Sequence, residues 1–151
     1  MHPVIKKLNY KNQEKVLVLN SPVEFQLVLN ELKDLSSVDQ FIRETEYEYI
    51  LIFVKKVQEI EEFSALITQN ISEDAVFWVA YPKKSSKKYS SDINRDNGWQ
   101  SLGDIGFEGI RQVAIDNDWS AIRFRQARLI KSFIRDKNRA LSKEGRERLN
   151  K

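Results

Sequence analysis

Apolar residues fall into two rhythms along this chain, and the rhythms predict its elements. Residues 15–20 (KVLVLN), 47–54 (YEYILIFV) and 75–81 (AVFWVAY) are short runs rich in β-branched and aromatic side chains, so they read as strands. The run 47–54 becomes apolar without alternation, as expected where both faces of a sheet are covered, and is expected at the centre. Between these runs the period changes. Phe25, Val28, Leu29, Leu32 and Leu35 recur at helical spacing, and so do Val57, Ile60, Phe63, Ile67 and Ile71. The first helix should open on Ser21-Pro22-Val23-Glu24, with serine as the cap, proline at N1 and glutamate at N3. The second carries Glu59, Glu61 and Glu62 in its first turns, where the helix dipole favours negative charge. Residues 38–42 suggest a weak edge strand.

Alternation of strand and helix implies a parallel sheet with right-handed crossovers. A polar loop at 85–98 and a helical turn at 99–105 come next. Two further strand-like runs, 110–116 and 119–125, are separated only by Asp116-Asn117-Asp118, a turn so tight that it joins antiparallel neighbours. The expected fold is therefore α/β: a Rossmann-like, mostly parallel sheet with helices on both faces and a C-terminal antiparallel hairpin. Residues 1–127 make this domain and 128–151 a basic C-terminal extension. Within the extension, Leu129, Ile130, Phe133 and Ile134 suit a strand or a helix, and Ser142-Lys143-Glu144 caps a last short helix.

Composition narrows the chemistry. With 151 residues the chain is long enough for one self-sufficient core. It has no cysteine, which excludes disulfides, thiolate metal sites and cysteine nucleophiles. Its single histidine, His2, lies at a terminus expected to fray, so a histidine triad, a histidine zinc site and a histidine base are all disfavoured. No metal and no cofactor are expected. The first residues lack the apolar core of a signal peptide and no run is long enough to span a bilayer, so the chain reads as cytoplasmic, without a membrane partner. Charge is unevenly spread: residues 128–151 carry nine Lys and Arg against three Asp and Glu, whereas 1–127 carry 16 against 19. A second basic cluster, Lys83, Lys84, Lys87 and Lys88, follows the aromatic strand.

Two resemblances attach to these residues. The strand series ending in a hairpin resembles class I S-adenosylmethionine-dependent methyltransferases. In that family the first strand leads into a glycine-rich loop against the cofactor, and an acidic residue ending the second strand binds the ribose. Here the loop position reads Val18-Leu19-Asn20-Ser21-Pro22, with no paired glycines, and neither Arg43-Glu44 nor Lys55-Lys56 supplies the acidic residue convincingly. Residues 16–22 (VLVLNSP), 77–83 (FWVAYPK), 92–96 (DINRD) and 119–124 (WSAIRF) also resemble the recurrent blocks of a family of small bacterial domains. That likeness spans about residues 15–125 and implies the fold without implying a reaction.

In such a sheet the carboxyl ends of the strands form the usual ligand rim. Asn20 and Ser21, Lys55 and Lys56, and Tyr81 through Lys84 should converge there. The expected ligand-binding residues are Asn20, Ser21, Tyr81, Lys83, Arg95 and Trp99. Lysines beside a helix start suit a phosphate or carboxylate, and the 85–98 loop is long enough to fold over the rim. Of the tryptophans, Trp78 and Trp119 belong to apolar strands, which leaves Trp99 as the candidate exposed ring. The glycines around it precede a strand and match no phosphate-binding fingerprint. Asp92 and Asp96 lack a paired acid–base partner, and an Arg95–Asp92 ion pair ordering the loop is the plainer expectation. The resulting expectation is a non-catalytic protein binding a small anionic ligand or a protein partner. One alternative is a divergent S-adenosylmethionine-dependent methyltransferase. The other is an accessory nucleic-acid binder using Arg111, Arg123, Arg125, Arg128, Lys131, Arg135, Lys137 and Arg139.

Overall fold

The computed structural model describes residues 1–43, 46–131 and 140–149. They form α1 (Pro3–Lys7), β1 (Lys15–Leu19), a 3-10 turn (Val23–Phe25), α2 (Gln26–Leu35), β2 (Ser37–Asp39), β3 (Tyr47–Phe53), α3 (Val57–Ile67), β4 (Ile71–Pro82), α4 (Gln100–Asp104), β5 (Phe107–Ala114), β6 (Trp119–Gln126) and α5 (Lys143–Leu149). The strands make one six-stranded sheet in the order β2-β1-β3-β4-β6-β5. β1 pairs in parallel with β2 and β3, and β3 with β4. β6 runs antiparallel to both β4 and β5. This is the expected Rossmann-like sheet, and Tyr47–Phe53 is central in it.

Alternate residues of the central strands feed two separate cores. Val16, Val18, Leu51, Phe53, Trp78 and Ala80 pack under α1 and α2, against Ile5, Leu8, Phe25, Val28, Leu29 and Leu32. Leu17, Leu19, Ile50, Ile52, Phe77 and Val79 pack on the other face, against Ile60 and Ile67 of α3 and Leu102 of α4. Leu35, expected to face the sheet, is 43% exposed at the end of its helix.

Several local expectations need correction. Ser21 does not cap the first long helix: the chain enters through the 3-10 turn with Pro22 as its cap and no side-chain capping bond. Glu24, expected to complete a capping box, instead sends its carboxylate to Tyr89 and Trp119. Ile71 opens β4 rather than continuing α3, because the helix ends at Ile67. The polar start of β4, unreadable as strand from its sequence, is recruited by a Tyr47–Ile71 pairing and a register shift, with Asp74 at φ +55.

A further correction concerns the N-terminus, expected to fray, which is a capped helix. His2 Nδ1 accepts the Val4 N–H, Pro3 takes the first turn, and the His2 N–H is held by the Glu31 carboxylate. Burial of Val4, Ile5 and Leu8 then anchors it. The Leu8 carbonyl accepts two buried donors, the Tyr49 hydroxyl at 2.6 Å and the Trp78 indole N–H at 2.8 Å. Burial also raises the Tyr49 pKa far above its ordinary value, so this hydroxyl stays protonated and donating.

At the other end, residues 140–149 dock on α4 and β5. Glu108 is fully buried, and its carboxylate accepts the N–H groups of Leu141 and Ser142 and the Ser142 hydroxyl. The Ser142 oxygen in turn accepts the Gly145 N–H, so the expected serine does start α5. Gly103 makes the docking possible: a Cβ there would meet the Leu141 backbone oxygen at 2.5 Å.

The shared carbonyl gives a measurable coupling. Tyr49→Phe and Trp78→Phe should each cost about 1–2 kcal/mol in urea unfolding, since the other donor still satisfies Leu8. The double variant should cost roughly 1 kcal/mol or more beyond the sum, because a buried carbonyl is then left unpaired. Simple additivity would show that the carbonyl is not the coupling point.

Candidate functional site

β1 is the point where the sheet reverses its winding, with β2 on one side and β3 on the other. Sheets of this kind take ligands in the crevice outside the carboxyl ends of the two strands at such a switch. After β1 the chain turns at Asn20, whose φ of +59 is left-handed, a conformation asparagine tolerates better than most residues. After β3 come Lys55 and Lys56, whose backbone N–H groups are both accepted by the Glu59 carboxylate at the head of α3. After β4 comes the long polar loop.

That loop is fastened across the strand ends at every few residues. The Lys83 N–H donates to the Asp118 carbonyl and the Ser86 hydroxyl to the Asp118 carboxylate, tying it to the start of β6. The Tyr89 hydroxyl donates to Glu24, beyond β1. The Ser91 hydroxyl donates to the Lys55 carbonyl, beyond β3, and Asp92 accepts the Val57 N–H that opens α3. Ile93 and Trp99 then enter the second core. The segment passes from the α2 face to the α3 face over the rim, as its length suggested.

Glu24 is the electrostatic centre. Its oxygens accept the Tyr89 hydroxyl at 2.8 and 2.9 Å and the Trp119 indole N–H at 3.3 Å, with the Lys88 ammonium at 3.5 Å. Burial pushes the carboxyl pKa up, but its own backbone N–H, these two donors and the Lys88 charge outweigh it and hold the group below its ordinary range. Lys55 places its ammonium 4.7 Å from the centre of the Tyr89 ring, which lies 5.0 Å from Trp119. An aromatic series continues inward from Trp119 through Phe53 to Phe25.

The six expected ligand residues separate into two groups. Asn20 is exposed on its turn, Ser21 is half-buried beside it, and Lys83 is half-buried on the loop. Tyr81, Arg95 and Trp99 come together on the α3 side: the Tyr81 and Trp99 rings are 5.3 Å apart, and the indole N–H donates to the carbonyls of Asn94 and Arg95. Trp99 is only 4% exposed and presents no stacking face, because the loop wraps its ring into the core. Tyr81 is buried too, and its hydroxyl accepts from Gln112. Trp78 and Trp119 are core, as expected. Arg95 pairs with Asp96 at 3.6 Å rather than with Asp92, which is engaged in capping α3. Sequence reasoning passed over Glu24 and Tyr89, since their meeting depends on how far the loop reaches. It also passed over Asp39, the acidic residue that does end β2 and that accepts the Tyr47 hydroxyl at 2.5 Å.

At the opposite, amino edge, Thr68, Ile71, Asp74, Phe107, Arg125 and Arg128 help line a cavity of about 360 Å3. Arg125 makes a two-pronged bond to Asp74, with both contacts at 2.7 Å, and Arg128 pairs with Glu73 at 2.9 Å. The Arg125 bonds hold the Asp74 carboxyl below its usual range. Arg123 is half-buried and its Nε lacks a hydrogen-bond partner. Of the basic residues expected to line this edge, Arg125 and Arg128 are thus paired within the molecule, whereas Arg111 and Lys131 are exposed; Arg135, Lys137 and Arg139, like Glu44, lie outside the described residues. Among the described residues no cluster of metal-ligating side chains occurs, and no helix is long and apolar enough to cross a membrane.

No protein-family profile matches the chain, and no curated protein matches it in sequence. Solved structures do match its fold. A SAM-dependent methyltransferase from Aquifex aeolicus is similar at a TM-score of 0.55 with 14% identity, covering 80% of this chain and 86% of that one. The N-methyltransferase NodS from Bradyrhizobium japonicum, in complex with S-adenosyl-L-homocysteine, is similar at 0.51 with 9% identity, covering 82% and 83%. A SAM-dependent methyltransferase from Leishmania major is similar at 0.50 with 9% identity, covering 81% and 71%. The sheet, with its closing hairpin, is that of the class I methyltransferase fold. The residues at the switch point do not fit the cofactor of that fold as they stand. Asn20 and Ser21 carry side chains where a bare turn is needed, Asp39 is occupied by Tyr47, and Tyr89 is bonded across the rim.

The lowered carboxyl of Glu24 makes a pH prediction. Its contribution to stability is fully present above the ordinary glutamate value of 4.5 and is lost as pH falls through the lowered one. Wild type should exceed Glu24→Gln by about 1 kcal/mol near neutral pH, and urea titrations should show that gap closing below roughly pH 4.5. A gap that persists undiminished to about pH 2 would contradict the assignment.

Proposed function

We propose that this chain is a non-catalytic binding protein built on a methyltransferase-like sheet, taking a small anionic ligand at the carboxyl rim. One observation carries the reading: the carboxylates and lysines of the rim are unequally satisfied. Glu59 and Asp92 are engaged by backbone N–H groups, and Asp118 by the Ser86 hydroxyl. Lys83, Lys84 and Lys87 have no ion-pair partner among the described residues, and Lys55 faces only the ring of Tyr89. Surplus ammonium groups along the carboxyl rim of a sheet attract phosphate or carboxylate. Asn20, Ser21 and Arg95 add polar groups from neighbouring turns, while Tyr81 and Trp99 act as the buried wall that positions the loop.

The likeness of fold favours a second reading, a divergent S-adenosylmethionine-dependent methyltransferase, which requires the loop to withdraw from the crevice. Thermal unfolding separates the two. Inorganic phosphate or citrate at a hundredfold its dissociation constant should raise the midpoint by several degrees, equivalent to about 2.7 kcal/mol. The triple variant Lys83→Ala, Lys84→Ala, Lys87→Ala should abolish that shift while melting like wild type without ligand. A shift with S-adenosylmethionine or S-adenosylhomocysteine that survives in the triple variant would instead establish the second reading. No response to phosphate or citrate removes the first.

A further inference from the structure

Glu24 occupies an unusual position for a glutamate at the start of a helix. It leaves the α2 entrance without a side-chain cap and reaches instead into donors from two other parts of the fold: Lys88 and Tyr89 of the loop after β4, and Trp119 at the start of β6. Its side chain is 21% exposed; of the donors, Trp119 is buried, Tyr89 half-buried and Lys88 exposed. A hydroxyl, an indole N–H and an ammonium converging on two carboxylate oxygens form a donor set suited to any oxyanion of similar size. Lys55, above the Tyr89 ring, adds a second positive charge.

We infer that Tyr89, Trp119 and Lys88 constitute an anion site at the switch point, and that Glu24 fills it from within the chain as a stand-in for the ligand's oxyanion. The same carboxylate bolts the loop down, because Tyr89 and Lys88 belong to that loop. A ligand bearing a phosphate or carboxylate takes the site by displacing Glu24, and entry of the ligand is therefore coupled to release of the 3-10 turn from the loop. Ligand entry rests on the anionic-ligand reading above; the bolt itself does not.

Hydrogen exchange and binding of inorganic phosphate, with sodium acetate as the carboxylate probe at constant ionic strength, test the inference. Without ligand, Glu24→Ala should speed amide exchange across 83–98 at least about tenfold while β3 and β4 keep wild-type protection. Phosphate or acetate, followed by Trp fluorescence, should bind Glu24→Ala at least about tenfold more tightly than wild type. Binding should restore loop protection, and adding Tyr89→Phe should erase the gain. Preference for one probe identifies which oxyanion the donors suit. Glu24→Gln, which keeps the volume, should shift both readouts in the same direction and stands in if the alanine variant is poorly folded. Unchanged loop exchange in both variants overturns the bolt. Equal phosphate affinity in wild type and Glu24→Ala overturns the internal occupant while leaving anion binding at the rim intact. A released loop with no gain for either probe overturns the anion site.

Discussion

β3 and β4 are buried on both faces, and most of the molecule follows from that constraint. Ile50, Leu51, Ile52 and Phe53 are at most 2% exposed, and Trp78, Val79 and Ala80 are covered to the same degree. Two adjoining strands of this kind need a cover on each side, since leaving either face wet would forfeit about 25 cal/mol for each Å2 of apolar surface. α1 and α2 supply one cover, and α3 and α4 the other. Both covers end at the strand tips, where only a loop remains to close the aromatic side chains that project there. Phe53 and Trp119 would otherwise open onto solvent at the rim, and Tyr89 meets Trp119 there.

The rim is therefore a place where packing and electrostatics have been reconciled by the same residues. Tyr89 contributes its ring to the apolar surface and its hydroxyl to Glu24, the amphipathic use to which tyrosine is suited. Glu24 has given up a helix cap to meet it. Open α/β sheets generally take ligands at this end; here the chain's own side chains span it. The fold likeness and the local residues thus speak to different levels of the molecule, and fold alone does not carry activity.

Sequence periodicity exposed the elements whose burial is regular. β3 was legible because its run becomes continuously apolar from Tyr49 to Val54, and the hairpin because only Asp116-Asn117-Asp118 separates its expected strands. What escaped is what depends on distant partners. Ser72, Glu73 and Asp74 look like loop and belong to β4 only because Tyr47 offers a pairing edge. Asn20, Ser21 and Lys83 lie beyond strand ends, whereas Tyr81 continues the buried Phe77–Val79 face of β4 and Trp99 enters the same core. Glu24 looked like a capping residue since its position at N3 is locally sufficient for that role. Its actual partners lie 65 and 95 residues away.

The Leu8 carbonyl, with its two buried donors, also bears on how the chain reaches this state. Trp78, one of those donors, follows Leu8 by 70 residues, so the first helix is synthesised long before the indole that secures it. A five-residue helix has too few turns to persist alone in water. Its place is therefore held by the sheet it docks on rather than by its own turns, so α1 and the β3–β4 pair depend on one another across 41 and 70 residues of sequence.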